Sequence, residues 1–262
     1  MEKAQSKDGT AIAFDQSGEG APIVVVGGAA RDRVAEAPLR ELLASRFTVI
    51  AYDRRGRGDS GDTPPYAVER EIEDLEAVIG EAGGLAGVYG SSSGANLAVM
   101  AAARGLGITK LALHEPNFLV DDSRPPLPDD YVEQLDELVA AGRRGDVVEL
   151  FMTGTAGIPA EFIAPMRDEP MWPGLEAIAP TLAYDGAVVA GFELPTERLA
   201  AIAVPTLVID GGESEEWLRA GAQAAAEALP DAQRHTLDGE PHNVSPDAVA
   251  PVLEEFFAGE AP

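Results

Sequence analysis

Short apolar runs, separated by longer segments with helical spacing, follow one another along most of this chain. The runs that predict strands lie at residues 10–15, 23–26, 47–52, 85–89, 108–113, 206–209 and 234–237. Most of them are continuously apolar rather than alternating, which is typical of strands buried on both faces of a sheet. The pattern therefore predicts a mostly parallel sheet covered by helices on both sides.

Three segments carry apolar residues three and four positions apart, which predicts amphipathic helices with one buried stripe. The stripes consist of Val68, Ile72, Leu75 and Ile79; of Trp217, Leu218, Gly221, Ala225 and Leu229; and of Val249, Val252, Leu253, Phe256 and Phe257. Ser245 and Pro246 supply the N-cap and the first-turn proline of the last helix. Strands that alternate with helices in this way predict an α/β fold.

The alternation stops between residues 113 and 206, where helical patterns are interrupted by many prolines. Because this segment leaves and rejoins the pattern at strand ends, we interpret residues 119–198 as a helical lid. Residues 1–118 and 199–262 then form the core domain. The alternative is that the helices of 119–198 simply extend the core.

Composition narrows the classes of function. The chain has 19 Lys and Arg against 45 Asp and Glu, a net charge of −26, which disfavours nucleic acid and anionic membranes as partners. No apolar run approaches the roughly 18 residues of a membrane span, and the polar N-terminus lacks a signal peptide, so we expect a cytoplasmic protein. The absence of cysteine excludes disulfides, thiolate metal sites and cysteine nucleophiles.

The sequence Gly-x-Ser-x-Gly at 90–94 nominates a catalytic nucleophile. It directly follows the apolar run at 85–89 and precedes an apolar helical segment at 95–103. A serine at such a strand-to-helix turn has its side chain directed into a cleft, and the flanking glycines avoid collisions. This context favours Ser92 as a nucleophile over the alternative, a Gly/Ser-rich turn without chemistry.

A serine hydroxyl needs a base, and the chain offers three histidines for that role. His242 lies in a predicted loop after the last strand, from which it can reach the carboxyl ends of the strands. His235 lies inside a predicted strand, where we expect it to be packed. His114 ends a strand near the expected site but is the weaker candidate, so we take His242 as the base.

The predicted oxyanion hole needs two backbone N–H groups aimed at one point. Ser93, which follows the nucleophile at a helix N-terminus, is expected to supply one of them. The loop at 27–30 consists of Gly and Ala, is small enough for close approach, and offers the N–H of Ala29 as the second. A tight turn that binds no ligand explains this loop equally well.

Taken together, these motifs resemble the α/β-hydrolase fold superfamily, of the serine hydrolase type with a helical lid. The resemblance rests on Gly27-Gly28, on residues 52–60, on the elbow at 90–94, on residues 204–209 and on His242, in the family's order. It implies an eight-stranded, mostly parallel sheet, a lid inserted before the penultimate strand, no cofactor or metal, and a Ser-His-acid triad. Residues 52–60 match a structural turn of that family, so we assign them no catalytic role.

The chain departs from the family pattern at three positions. Gly27-Gly28 stands where the family usually carries His-Gly, and Ser91 stands where His is common before the nucleophile. Most importantly, the usual position of the acid falls at Ser214. One group of haloalkane dehalogenases instead carries a Glu after the preceding strand, and Glu115 matches that position. We therefore rank Glu115 first among the candidate acids of the triad.

Two other acidic residues remain candidates for the acid of the triad: Glu213 ranks second and Asp210 third.

The leading hypothesis is a serine hydrolase of a small, largely apolar ester or related acyl compound, with Ser92, His242 and Glu115 as triad. Such an enzyme takes a small-molecule substrate, and the sequence leaves a homodimer open. The alternative is a protein of this fold with a degenerate triad, either a cyclase-like catalyst of secondary metabolism or a ligand-binding protein.

Overall fold

The computed structural model describes residues 1–259, which form an eight-stranded sheet and eleven α-helices. The strands are β1 (Glu2–Gln5), β2 (Ala11–Ser17), β3 (Pro22–Val26), β4 (Thr48–Tyr52), β5 (Ala86–Ser91), β6 (Ile108–His114), β7 (Thr206–Gly211) and β8 (Ala232–Leu237). Their order across the sheet is β1-β2-β4-β3-β5-β6-β7-β8. Strands β1 and β2 run antiparallel to their neighbours and the rest are parallel, as expected.

Helices cover both faces of this sheet. They are α1 (Ala37–Leu43), α2 (Val68–Glu81), α3 (Ser93–Ala103), α4 (Tyr131–Ala140), α5 (Arg144–Gly154), α6 (Ala160–Met166), α7 (Trp172–Ile178), α8 (Leu182–Val189), α9 (Thr196–Ala200), α10 (Glu216–Ala228) and α11 (Pro246–Ala258), with short 3₁₀ turns at Ala179–Thr181 and Ala190–Phe192. The Ser245 hydroxyl caps α11 by accepting the Ala248 N–H at 3.3 Å, as its position predicts. Within residues 1–259, no helix combines the length and the apolar content needed to cross a bilayer.

Successive residues of the central strands enter two different cores. On β3, Val24 and Val26 pack with residues of α2, α3 and α10, whereas Ile23 and Val25 pack with residues of α1 and α11. Because side chains alternate between faces, a strand that is buried on both sides must be apolar throughout. This packing confirms the prediction from the continuous apolar runs.

The segment between β6 and β7, residues 119–198, is helical and has a core of its own. We call it the helical insertion; it contains α4 to α8 and the start of α9. Tyr131, Leu135, Phe151 and Trp172 are buried in its core, and Ala29 of the loop after β3 packs against that cluster. The assignment of 119–198 as a lid stays a prediction. Residues 260–262 of the predicted core domain lie outside the described residues.

The sheet register brings the candidate groups to one edge. Ser91 pairs with His114, and His114 pairs with Ile209, so β5, β6 and β7 end at the same level. The backbone continues this alignment, because the Ser92 N–H donates to the His114 carbonyl at 2.9 Å and the Glu115 N–H to the Ile209 carbonyl at 2.9 Å. The prediction for His235 is wrong: β8 is an edge strand, and this side chain is exposed rather than packed.

Candidate active site

Ser92 lies at the sharp turn between β5 and α3. Its backbone has φ 54° and ψ −124°, a conformation that costs energy for a residue with a side chain. The flanking glycines permit this turn: a Cβ on Gly90 would come within 2.6 Å of the Gly94 carbonyl oxygen, and one on Gly94 within 2.3 Å of the Val26 carbonyl oxygen. The geometry is that of a nucleophile elbow.

A carboxylate and an imidazole meet beside this elbow. The Nδ1–H of His242 donates to Oε2 of Glu115, whose side chain is fully buried. Oε1 of the same carboxylate accepts the Gly211 N–H at 2.7 Å, so both oxygens are held. Glu115 itself has φ 44°, a left-handed backbone conformation, and its side chain reaches Gly211, the last residue of β7.

The protonation states of this pair follow from their contacts. Burial by itself would raise the pKa of Glu115, but the hydrogen bonds from His242 and Gly211 outweigh it and hold that pKa below its ordinary value. An ionised carboxylate only accepts hydrogen bonds, so the proton between the two groups belongs to His242 Nδ1. In the tautomer that has its proton on Nδ1, the Nε2 atom of His242 carries the lone pair and can act as a base.

Neither of the two alternative acids forms a hydrogen bond with His242 among residues 1–259. Both carboxylate oxygens of Asp210 accept from Arg234, at 2.9 and 3.0 Å, and from the Thr236 hydroxyl. Glu213 lines the cavity described below, with its backbone N–H bonded to the Glu240 carbonyl at 3.0 Å. Of the three acids considered from sequence, Glu115 is the one that the structure brings to His242.

Ser92 and His242 line one cavity, but the hydroxyl of Ser92 has another partner. Its Oγ donates to Oδ1 of Asn117 at 3.3 Å, a long hydrogen bond. Asn117 is held in turn through its backbone N–H, which donates to Oδ1 of Asn96 at 2.8 Å. We did not single out Asn117 from the sequence; its signal is a polar residue two positions after Glu115 at a strand end.

The two predicted oxyanion donors also lie at this cavity. Ala29 and Ser93 line it, and Ser93 is the first residue of α3. Gly28 packs tightly against the elbow, since a Cβ there would lie 3.0 Å from the Ser91 carbonyl oxygen and 3.2 Å from Ser92 Cβ. This close approach explains why the loop before Ala29 needs a residue without a side chain.

A buried ionic network lies behind these donors. Arg54 and Arg57, from the segment after β4, both pair with Asp185 of α8, at 2.7 and 2.5 Å, and Arg54 also pairs with Glu71 of α2. Burial alone would raise the pKa of Asp185, but the two guanidinium groups hold it below its ordinary value. Asp185 could not be singled out from the sequence, because Arg54 and Arg57 lie more than a hundred positions away from it.

A second histidine ring lies beneath the first. His114 is fully buried and its ring stacks on that of His242, with 6.0 Å between centroids. Burial lowers the pKa of His114 to about 4, an effect that Glu115 opposes and His242 reinforces. His114 is therefore neutral near pH 7.

The cavity has a volume of about 600 Å³ and a mostly apolar wall. Its apolar residues include Val148, Phe151, Met152, Ile158, Leu175 and Leu182 of the helical insertion, with Trp217 and Leu218 of α10. Arg31 also lines it but pairs with Glu36 at 2.5 Å, and Glu213 and Glu215 add negative charge. Among residues 1–259, no three His, Asp or Glu side chains are grouped so that they could bind a metal ion.

Comparison with known families agrees with this architecture. The model of an alpha/beta hydrolase family matches residues 23–253, a range that includes the elbow, Glu115 and His242. No curated protein matches the chain.

Among solved structures, an alpha/beta hydrolase from Sphaerobacter thermophilus DSM 20745 is 58% identical, with a TM-score of 0.92 over 98% of this chain and 100% of its own. A thermophilic esterase from Thermogutta terrifontis is 24% identical, with a TM-score of 0.74 over 98% and 97% of the two chains. An enol-lactonase from Burkholderia xenovorans LB400 is 22% identical, with a TM-score of 0.72 over 98% and 100%. The last two likenesses concern the fold alone.

Proposed function

We propose that this chain, which belongs to the alpha/beta hydrolase family, is a serine hydrolase that cleaves a small, largely apolar ester. Ser92 is the nucleophile, His242 the general base and Glu115 the acid of the triad. The observation that carries the proposal is the hydrogen bond from His242 Nδ1 to the buried Glu115 carboxylate, at the cavity that Ser92 also lines.

In this mechanism, His242 Nε2 takes the proton of the Ser92 hydroxyl as Oγ attacks the ester carbonyl. The tetrahedral intermediate carries its negative oxygen toward the N–H groups of Ala29 and Ser93. Protonated His242 then gives its proton to the leaving alcohol, and an acyl-serine remains. Water attacks the acyl-serine in the same way, which releases the acid and restores Ser92. Glu115 keeps its charge and stabilises the imidazolium throughout.

The hydroxyl of Ser92 must leave Asn117 before this step. The hydrogen bond between them is long and involves no charge, so it is a weak competitor. Rotation of a serine side chain between staggered positions takes picoseconds to nanoseconds, which is fast compared with catalysis. Catalytic hydrogen bonds are often loose until substrate is bound.

The apolar wall of the cavity supports a substrate with an uncharged acyl group. Six apolar side chains of the helical insertion face it, which suits a short aliphatic or aromatic chain and supports a lid role for residues 119–198. The Arg31 guanidinium is neutralised by Glu36, while Glu213 and Glu215 repel anions. A substrate with a free carboxylate is therefore disfavoured.

A fluorophosphonate probe tests the nucleophile. Wild-type protein should form a covalent adduct located at Ser92 by peptide mass spectrometry, and hydrolyse p-nitrophenyl butyrate. Ser92→Ala should lose both, and Glu115→Gln should lower kcat by about 10²–10⁴-fold because His242 loses its orienting charge. Ser45→Ala, at an exposed serine, is the matched control and should behave as wild type.

Two results would reject the proposal. One is a wild-type protein that forms no adduct at Ser92. The other is a Ser92→Ala variant with full activity, which would instead support a non-hydrolytic catalyst or a binding protein with a degenerate triad. Wild-type activity in Glu115→Gln would remove Glu115 alone from the triad.

A further inference from the structure

One buried carboxylate of the helical insertion reaches both segments that carry the oxyanion donors. Oδ1 of Asp185 accepts the Ser93 hydroxyl at 2.8 Å, and Oδ2 accepts Nη2 of Arg57 at 2.5 Å. The same guanidinium donates Nη1 to the Gly28 carbonyl at 2.8 Å. Asp185 thus holds Ser93 directly and Gly28 through one intermediate side chain.

These contacts help to orient the backbone N–H groups of Ala29 and Ser93. The Gly28 carbonyl and the Ala29 N–H belong to one peptide unit, which is planar, so holding the oxygen fixes the opposite direction of the N–H. The Ser93 hydroxyl belongs to the residue whose own N–H is the second donor. A guanidinium on the Gly28 oxygen also polarises that peptide and strengthens its N–H as a donor.

The network has balanced charge and is closed to water. Arg54 and Arg57 face Glu71 and Asp185, and none of the four is more than 2% exposed. Arg54 also donates to the Ser93 hydroxyl at 3.1 Å. Buried charged groups with every partner in place have few alternative arrangements, which suits a rigid support for catalytic dipoles.

We propose that Asp185 is a positioning residue that assembles the oxyanion hole when the helical insertion docks on the sheet. The proposal rests on the serine hydrolase function proposed above. Asp185 touches no substrate; it acts through Ser93 on one side and through Arg57 and Gly28 on the other. When α8 packs against the sheet, Asp185 therefore also orients the N–H groups of the oxyanion hole.

The test compares variants by kcat and KM for p-nitrophenyl butyrate and by the inhibition constant of an alkyl trifluoromethyl ketone. This inhibitor adds to the nucleophilic serine and places an oxyanion in the hole. Asp185→Asn removes the charge that holds Arg57. Ser93→Ala removes the contacts of this hydroxyl to Asp185 and Arg54 but keeps the backbone N–H, so it provides the decisive result if Asp185→Asn does not fold.

Two controls separate positioning from general stability. Asp74→Asn breaks an equally buried pair with Arg55, at 2.7 Å, which touches neither Ser93 nor Gly28. Tyr184→Phe removes another contact between α8 and the segment after β4, the 2.7 Å hydrogen bond to Asp62. Both should lower the melting temperature without changing kcat.

We expect kcat to fall by about 10²-fold in Asp185→Asn and about tenfold in Ser93→Ala, with KM changed by less than about threefold. The inhibition constant of the ketone should rise by the same factors. Wild-type kcat and inhibition constant in folded Ser93→Ala would overturn the proposal, whatever the melting temperature. A wild-type protein that neither hydrolyses esters nor binds the ketone would instead overturn the hydrolase function itself.

Discussion

Two stacked imidazole rings, of which the upper one borders the cavity, have opposite surroundings. His242 is 34% exposed and bonded to Glu115, whereas His114 is fully buried, and its Nε2 atom has no hydrogen-bond partner among residues 1–259. The Ser91 hydroxyl lies 3.4 Å from its Nδ1. Protonation of a buried imidazole that lacks a hydrogen-bond partner is costly. The free energy of unfolding should therefore depend on pH through His114.

We predict that His114 makes stability fall as the pH falls from about 6.5 to about 4. The folded pKa, about 4, lies below the unfolded value, so the unfolded state binds the proton first and this stability is complete only above pH 6.5 or so. The loss amounts to about 3 kcal/mol when complete. Urea unfolding at several pH values measures it.

His114→Gln should flatten this part of the pH profile, whereas His235→Gln, at an exposed ring, should leave it unchanged. The charges of Glu115 and His242 both influence His114, so the comparison is between variants at each pH. An equal slope for His114→Gln and wild type would contradict the prediction.

Candidate site residues that local sequence order marks could be nominated from the sequence, and residues that only the tertiary fold brings together could not. Ser92 is marked by glycines two positions away on each side, and His242 by its place after the last strand. Glu115 required a family resemblance, because nothing local distinguishes it from Glu213. Asp185 lies on a helix with no motif, and its partners, Arg54 and Arg57, meet it only through folding.

At the scale of elements, the junction of β3, β5 and α3 sets the position of Ser92. We predict that Gly94→Ala destabilises the protein by about 3 kcal/mol or more, since its Cβ would lie 2.3 Å from the backbone oxygen of Val26. Gly80→Ala, in the last turn of α2, adds a Cβ that meets nothing within 4 Å outside its own helix, so it should be neutral or stabilise by up to about 1 kcal/mol. Chemical unfolding of both variants checks the contrast.

Equal free energies of unfolding for the two glycine variants would contradict this prediction. They would show that β3 and α3 can move apart at little cost to admit the new Cβ. If Gly94→Ala folds, its fluorophosphonate labelling should still slow, because a displaced α3 carries Ser92 and Ser93 with it.

Elements with a strong apolar pattern were predicted well and short ones at the margins were missed. Helices α2 and α11 coincide with their apolar stripes. Strand β1 was not predicted, because of its four residues only Ala4 is buried, and the rest read as a polar terminus. The seven-residue α1 was also missed, since it buries just Leu39 and Leu43. Such elements take their structure from their neighbours rather than from their own periodicity.

For the whole molecule, a net charge of −26 on 262 residues produces repulsion that the buried ion pairs do not offset. We predict that the melting temperature rises by about 2–4 °C between low salt and 0.15 M NaCl, where the screening length is about 8 Å. Scanning calorimetry over this range measures the effect, and salts at such low concentration act mainly by screening.

A variant with three exposed acids neutralised, Glu19→Gln, Glu81→Gln and Glu161→Gln, should depend less on salt. A melting temperature that is constant or falls with added salt would mean that the acidic surface does not limit stability.

In the proposed triad the acid is Glu115, which directly follows β6, so the segment after β7 has no catalytic role. That segment, residues 212–215, still borders the cavity through Glu213 and Glu215. The charges of Glu213 and Glu215 can therefore be changed, in evolution or by design, for example to admit anionic esters. Such substitutions leave the residues of the proposed triad in place. In a hydrolase whose acid stands after β7, the same substitutions would risk the reaction itself.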